Sequence, residues 1–72
     1  MSSWEGVLRR LELESGVWVL DVPGARFALA GAVPPGLEGQ RVRVTGRLSE
    51  GFGFAMTGDP TVEVRGVAPI PD

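Results

Sequence analysis

Hydrophobic and polar residues alternate most regularly between residues 41 and 48. Val42, Val44 and Leu48 share one parity, and the residues of the other parity are polar: Arg41, Arg43, Thr45 and Arg47. A period of two is typical of a half-buried β-strand. Gly46 interrupts the apolar face, and a glycine within a strand is typical of a bulge, a bend or a close backbone approach. We therefore predict a strand that bends to close a small barrel.

The first strand is predicted over residues 4–14, where the pattern is less regular. Val7, Leu11 and Leu13 share an apolar parity that Arg9 interrupts, so we expect a bend or bulge near residues 6–10. The spacing of Val7 and Leu11 also fits one face of a helix. Gly6 and the alternation that continues to Leu13 favour the strand.

Three further strands are predicted over residues 17–22, 25–30 and 61–67. Residues 17–22 are nearly all β-branched, aromatic or aliphatic, which favours a well-buried strand. A Pro-Gly pair at residues 23–24 predicts a tight turn into the next strand. In the last strand we expect Val62 and Val64 to face inward, with Glu63 and Arg65 facing outward.

Two connections separate these strands. Residues 31–40 contain two adjacent prolines that exclude a regular helix, and we expect Val33 and Leu37 to close one end of the barrel. Residues 49–60 form a longer connection that carries Phe52, Phe54 and Met56.

Three strands in a meander, a connector and two more strands predict an all-β protein with a small five-stranded Greek-key barrel. This order resembles the OB-fold, the oligonucleotide/oligosaccharide-binding fold. Segments 6–8, 17–20, 26–29, 42–46 and 62–64 resemble the strand signatures of small bacterial OB-fold proteins. The resemblance covers residues 4–68 of a single predicted domain, 1–72. It implies a binding function, with the ligand on the face of the second and third strands.

A second resemblance is local. Residues 51–54, Gly-Phe-Gly-Phe, are identical to the core of the RNA-binding motif of cold-shock domains. In that family the motif lies on the second strand and follows a lysine. Here it lies between the predicted fourth and fifth strands and follows Glu50, so both its position and its charge differ.

Composition limits the chemistry that the chain can perform. Its 72 residues include no cysteine and no histidine, and the formal net charge is −2. We therefore expect no disulfide, no metal site and no cofactor. Lysine and tyrosine are absent too, which leaves carboxylates for proton transfer, and we predict a protein that is not an enzyme. A pair such as Glu12 and Glu14 fits solvent-facing strand positions more simply than glycoside chemistry.

The sequence also carries no pattern typical of targeting. No apolar run approaches the ~20 residues of a membrane-spanning helix. The first residues lack a basic segment followed by an apolar one, which is the pattern of a signal peptide. We expect a cytoplasmic protein with no membrane partner.

Binding of single-stranded DNA or RNA requires aromatic stacking platforms beside a cationic track. The negative net charge of the chain is not typical of a protein that binds nucleic acid mainly through an overall positive charge. The predicted site therefore consists of specific arginines and loop aromatics: Arg26, Arg43, Arg47, Phe52 and Phe54.

Other roles are open for the same residues. Arg43 and Arg47 fit cross-strand ion pairs with Glu63 or Glu12 on a solvated face. Trp18 and Phe27 fit the core, and Trp4 fits a cover over the barrel end.

A protein-interaction or assembly module is the alternative function. Phe52, Phe54 and Met56 would then be buried in a homodimer or against another protein, because aromatic residues and methionine are enriched at interface cores. A small-molecule or saccharide ligand is the third possibility.

Overall fold

Five β-strands form nearly all of the regular structure. The computed structural model describes residues 2–12, 16–49 and 60–71. The strands are β1 (Ser2–Leu11), β2 (Val17–Val22), β3 (Ala25–Ala30), β4 (Arg41–Leu48) and β5 (Thr61–Pro69), with a single 3₁₀ turn at Pro35–Leu37 among the described residues. The predicted bounds of β2, β3 and β4 are confirmed. β1 begins and ends earlier than predicted, and β5 continues two residues further.

The strands close into a barrel in the order β1-β2-β3-β5-β4, with β4 returning to β1. Neighbouring strands are antiparallel except for β3 and β5, which are parallel over a short contact. The prediction of an all-β, five-stranded barrel is confirmed. The architecture is compatible with an OB-like barrel, and closure leaves few open strand edges.

β1 changes partner at Val7. Residues 2–7 pair with β4 and residues 7–11 pair with β2, so that Val7 belongs to both ladders. At the neighbouring Gly6, a Cβ atom would overlap the carbonyl oxygen of Asp21. The absence of a side chain therefore lets the two strands approach. The register of β1 with both partners is regular, so no bulge interrupts residues 6–10.

The inward face of β1 differs from the apolar parity seen in the sequence. Leu8 is fully buried, whereas Val7 and Leu11 are half-buried. The inward parity of β1 is that of Trp4, Gly6 and Leu8. Because one of its positions is glycine, this parity does not stand out in the sequence. Leu13 lies outside the described residues.

A β-bulge interrupts the pairing of β5 with β4. Thr45 pairs with Gly66 but Gly46 pairs with Val64, so Arg65 is an extra residue on β5. Gly46 also permits close approach, since a Cβ atom there would overlap the carbonyl oxygen of Glu63. The close approach predicted from Gly46 is confirmed.

The interior is filled by one cluster of aliphatic side chains, with aromatic side chains packed against it. Its members are Leu8, Leu20, Leu29, Val42, Val44 and Val62. Trp18, Phe27, Val33 and Leu37 pack against this cluster, as predicted. Trp4 packs there too, and its ring centroid lies 5.6 Å from that of Phe27.

Leu48 departs from the prediction that it shares the buried face of Val42 and Val44. Its relative exposure is 41%, whereas both valines are fully buried. Leu48 is the last residue of β4, so it lies at the barrel rim, where fewer side chains surround it.

Candidate functional site: the outer face of β4

A row of polar side chains runs along the outer face of β4, opposite the buried Val42 and Val44. Alternate residues of a strand are ~6.7 Å apart, so the row extends for ~20 Å. Its neighbours on β1 and β5 include small residues: Ser3 is paired with Thr45, and Gly66 and Ala68 lie on the other side. The members of the row are Arg41, Arg43, Thr45 and Arg47. Flanking small residues leave the arginine side chains accessible from solvent.

Arg43 is held by a carboxylate on the neighbouring strand. It lies directly opposite Glu5 in the β1–β4 ladder. Its Nε and Nη2 atoms donate to the same oxygen, Oε2 of Glu5, at 3.0 and 2.6 Å. The two side chains are 57% and 45% exposed. Exposed pairs contribute only ~0.2–1 kcal/mol, so a competing anion can displace this carboxylate.

Arg47 makes a looser ion pair on the other side of β4. Its Nη2 atom lies 3.7 Å from Oε2 of Glu63, which is its register partner on β5. The Arg47 side chain is 71% exposed. Leu48 and Ser49 join this pair in lining a surface depression. Arg47 is thus more exposed than Arg43, whose side chain is 57% exposed.

The ion pairs agree with the sequence prediction in one case and differ in the other. Pairing of Arg47 with Glu63 is confirmed. Arg43 pairs with Glu5, rather than with Glu63 or Glu12, because barrel closure brings residues 2–7 of β1 beside β4. Glu12 lies past the end of β1 and is 3.8 Å from Arg10.

Arg41 within the row and Arg65 beside it are also exposed. Arg41 begins β4, and Arg65 is the extra residue of the β5 bulge. Neither forms an ion pair with another residue in the described ranges. Neither is among the arginines of the predicted site, which are Arg26, Arg43 and Arg47. A glycine directly after Arg65 was the available signal for a bulge.

Arg26 lies on a different part of the barrel. It is opposite Asp21 on the outer face of β3, and Asp21 accepts the Nε–H of Arg9 at 2.7 Å. Through β5, the β3 residue beside Arg47 is Ala30, which is ~13 Å along the strand from Arg26. The structure therefore brings Arg43 and Arg47 together and separates Arg26 from them. The predicted site residues Phe52 and Phe54, and also Met56, lie outside the described residues.

The outer face of β2 and β3, which the OB-fold resemblance implies as the ligand face, is apolar and buried at its centre. Val19 and Ala28 are register partners on this face, and their relative exposures are 0% and 2%. Their parity is that of Asp21 and Arg26, opposite to the inward-facing Leu20. A ligand therefore has little access to the centre of this face, whereas the row on β4 is exposed.

A comparison with protein families gives a match that covers nearly the whole barrel. The family model described as "Protein of unknown function (DUF5818)" matches residues 5–70, a range that includes parts of all five strands. The chain belongs to this family. Neither the curated proteins nor the solved structures gave a match. In the described ranges, no helix has the length and apolar character needed to cross a membrane.

Proposed function

We propose that this domain is a non-catalytic binding module that holds single-stranded nucleic acid along the outer face of β4. The observation that carries the proposal is the exposed row formed by Arg41, Arg43 and Arg47 on one strand of a closed barrel. Guanidinium groups form charge-assisted, often bidentate, hydrogen bonds with phosphate oxygens. A row with ~6.7 Å steps presents such groups along an extended chain.

A phosphate that binds to this face would replace a carboxylate that now pairs with an arginine. A phosphate that reaches Arg43 replaces the Glu5 carboxylate as its partner, and one that reaches Arg47 replaces Glu63. Both pairs are more than one-third exposed, so their disruption involves little loss of stability. The displaced carboxylates remain nearby and repel the phosphates. Binding should therefore be moderate in affinity and sensitive to salt.

The test is a titration of the intrinsic fluorescence of Trp4 and Trp18 with single-stranded DNA and RNA, at low and moderate salt. We expect a change in fluorescence at low salt that needs more ligand as salt rises, because binding releases counterions. A lack of binding at low salt would contradict the proposal. The arginine row would then be a solvated face neutralised by carboxylates.

The stacking role predicted for Phe52 and Phe54 is tested in the same assay. We expect the double variant Phe52→Ala/Phe54→Ala to bind more weakly, since base stacking contributes ~1–3 kcal/mol per base. Unchanged affinity would remove both residues from the site and leave the arginine row to be tested separately. If the double variant instead converts a dimer into a monomer, the assembly function predicted as the alternative gains support.

A further inference from the structure

The N-terminal half of β1 has a partner on one side only. Residues 2–7 pair with β4, and only residues 7–11 pair with β2. Among the described strands, none pairs with residues 2–6 on the side away from β4. In an otherwise closed barrel, this segment is an open edge of the sheet.

The backbone groups that face this open edge follow from the hydrogen bonds of Leu8. Its N–H donates to the Gln40 carbonyl at 3.0 Å, and its carbonyl accepts from the Gly39 N–H at 2.6 Å. Leu8 thus directs its backbone groups toward the β4 side. Successive residues of a strand direct these groups to opposite sides, so Ser3 and Glu5, each an odd number of positions from Leu8, direct theirs to the open edge.

A second open edge of the sheet, on β5, differs from this one. Beyond its contact with β3, which ends at Glu63, β5 has an unpaired edge. The bulge at Arg65 and the proline at position 69 interrupt that edge, and both features hinder the addition of another strand. Residues 2–6 contain neither proline nor lysine, and their register with β4 is regular. The β1 edge is therefore better suited to pairing than the β5 edge.

We propose that this edge pairs antiparallel with the same edge of a second copy of the chain, around a two-fold axis at Trp4. Ser3 of each copy then lies opposite Glu5 of the other in hydrogen-bonded positions, which gives about four backbone hydrogen bonds. The two Trp4 residues face each other in the non-hydrogen-bonded position, where aromatic pairs stabilise antiparallel strands. An isologous contact of this kind closes at two copies.

Repulsion between like charges selects this register. A shift that places the axis at Glu5 would bring two carboxylates directly opposite each other, which is destabilising. With the axis at Trp4, each Glu5 meets a serine hydroxyl and keeps Arg43 as its neighbour within its own barrel. The interface does not use residues 50–59, and so it differs from the dimer predicted from the loop aromatics. It also does not depend on nucleic-acid binding.

The consequence is a continuous six-stranded sheet with β1 of each copy at its centre. The outer faces of both β4 strands lie on the same side of this sheet, three strand spacings or ~14 Å apart. The dimer would therefore present two arginine rows side by side on one surface.

Sedimentation velocity of the wild-type chain from low micromolar to near-millimolar concentration tests the proposal, together with Ser3→Pro and Ser3→Ala. Proline at position 3 removes an N–H that faces the open edge and leaves the β4 ladder intact. We expect the wild type and Ser3→Ala to dimerise with similar affinity, and Ser3→Pro to stay monomeric with an unchanged far-UV CD spectrum. Dimerisation of folded Ser3→Pro at the wild-type affinity would overturn the proposal.

Amide hydrogen exchange on the wild-type chain provides a test that needs no variant. We expect the amides of Ser3 and Glu5 to exchange freely in dilute solution and to become protected as the concentration rises. Protection of the Trp4 amide, which faces β4, should change much less. A chain that stays monomeric at the highest concentration, or that dimerises without protecting Ser3 and Glu5, would contradict the inferred edge pairing.

Discussion

Two glycines determine how closely the strands of this barrel approach one another. At Gly6 and Gly46, a Cβ atom would overlap a carbonyl oxygen of the neighbouring strand. Both positions are buried on the inward face. Their role is therefore steric: at these two positions the neighbouring backbone lies where a Cβ atom would be.

Replacing Gly46 with alanine should destabilise the barrel. The added methyl group has to displace the backbone of β5 at Glu63, and overpacking of this kind typically costs ~1–3 kcal/mol. Urea unfolding followed by tryptophan fluorescence measures the loss. Gly66→Ala is the matched control, because a Cβ atom there meets no atom within 4 Å. Equal stability of the two variants would show that Gly46 is not required for close approach.

Leu20 and Leu48 test the boundary of the core. Leu20 is fully buried whereas Leu48 is 41% exposed. We expect Leu20→Ala to lose ~2–5 kcal/mol of unfolding free energy, and Leu48→Ala to lose less than about 1 kcal/mol. Thermal unfolding by CD compares them directly. A larger loss at Leu48 would mean that the rim residue belongs to the core, as its parity alone suggested.

At the scale of single residues, sequence reasoning succeeded where a backbone pattern determined the outcome. The close approach at Gly46 and the inward-facing Val42 and Val44 could be predicted from alternation. The partner of Arg43 could not, because Glu5 is 38 residues away in sequence and reaches it only through barrel closure.

Strand β4 is the element around which the proposed site is built. It pairs with β1 on one side and β5 on the other, and each neighbour supplies a carboxylate to one of its arginines. The ion pairs thus lower the positive charge of the row in the unbound state. They should compete with any anionic ligand.

Removing a competing carboxylate should strengthen nucleic-acid binding. We expect Glu5→Gln to raise the affinity for single-stranded DNA about two- to fivefold, which corresponds to the small free energy of an exposed ion pair. Fluorescence titration at low salt measures the change. Glu12→Gln is the control, because Glu12 carries the same charge, pairs with an exposed arginine (Arg10) and lies past the end of β1, beyond the residues that pair with β4. Equal gains in both variants would indicate an effect of net charge alone.

The ends of β1 and β5 show why element bounds were predicted less well than element identity. Ser2 and Ser3 carry no hydrophobic signal, yet they pair with Gly46 and Thr45. Pro69 lies beyond the predicted end of the last strand, yet it pairs with Val42. In both cases the strand is extended by backbone pairing to a neighbour, which leaves no pattern in side-chain polarity.

At the scale of the whole molecule, closure stabilises a chain that has no disulfide. With 72 residues and no cysteine, the barrel depends on its aliphatic cluster and on continuous strand pairing. Strand number and the meander of the first three strands could be predicted from periodicity and turn residues. The placement of β5 between β3 and β4 is a result of the structure, because pairing between strands distant in sequence leaves no local pattern.

The site could be predicted only in part, because strand order and register do not follow from local sequence patterns. Which arginines share a face depends on strand order and register, and these separate Arg26 from Arg43 and Arg47. The burial of Val19 agrees with the well-buried strand predicted over residues 17–22, whereas the burial of Ala28, its register partner, was not predicted. Together they leave the outer face of β4, rather than that of β2 and β3, as the proposed ligand face.

The most direct test of the β4 site compares the salt dependence of single-stranded DNA binding by the wild type, Arg43→Gln/Arg47→Gln and Arg26→Gln. We expect the double variant to bind more weakly, with the slope of log affinity against log salt reduced by ~0.7 for each lost phosphate contact. Arg26→Gln should keep nearly the wild-type affinity and slope. If Arg26→Gln loses affinity while the double variant retains it, the ligand does not lie on β4.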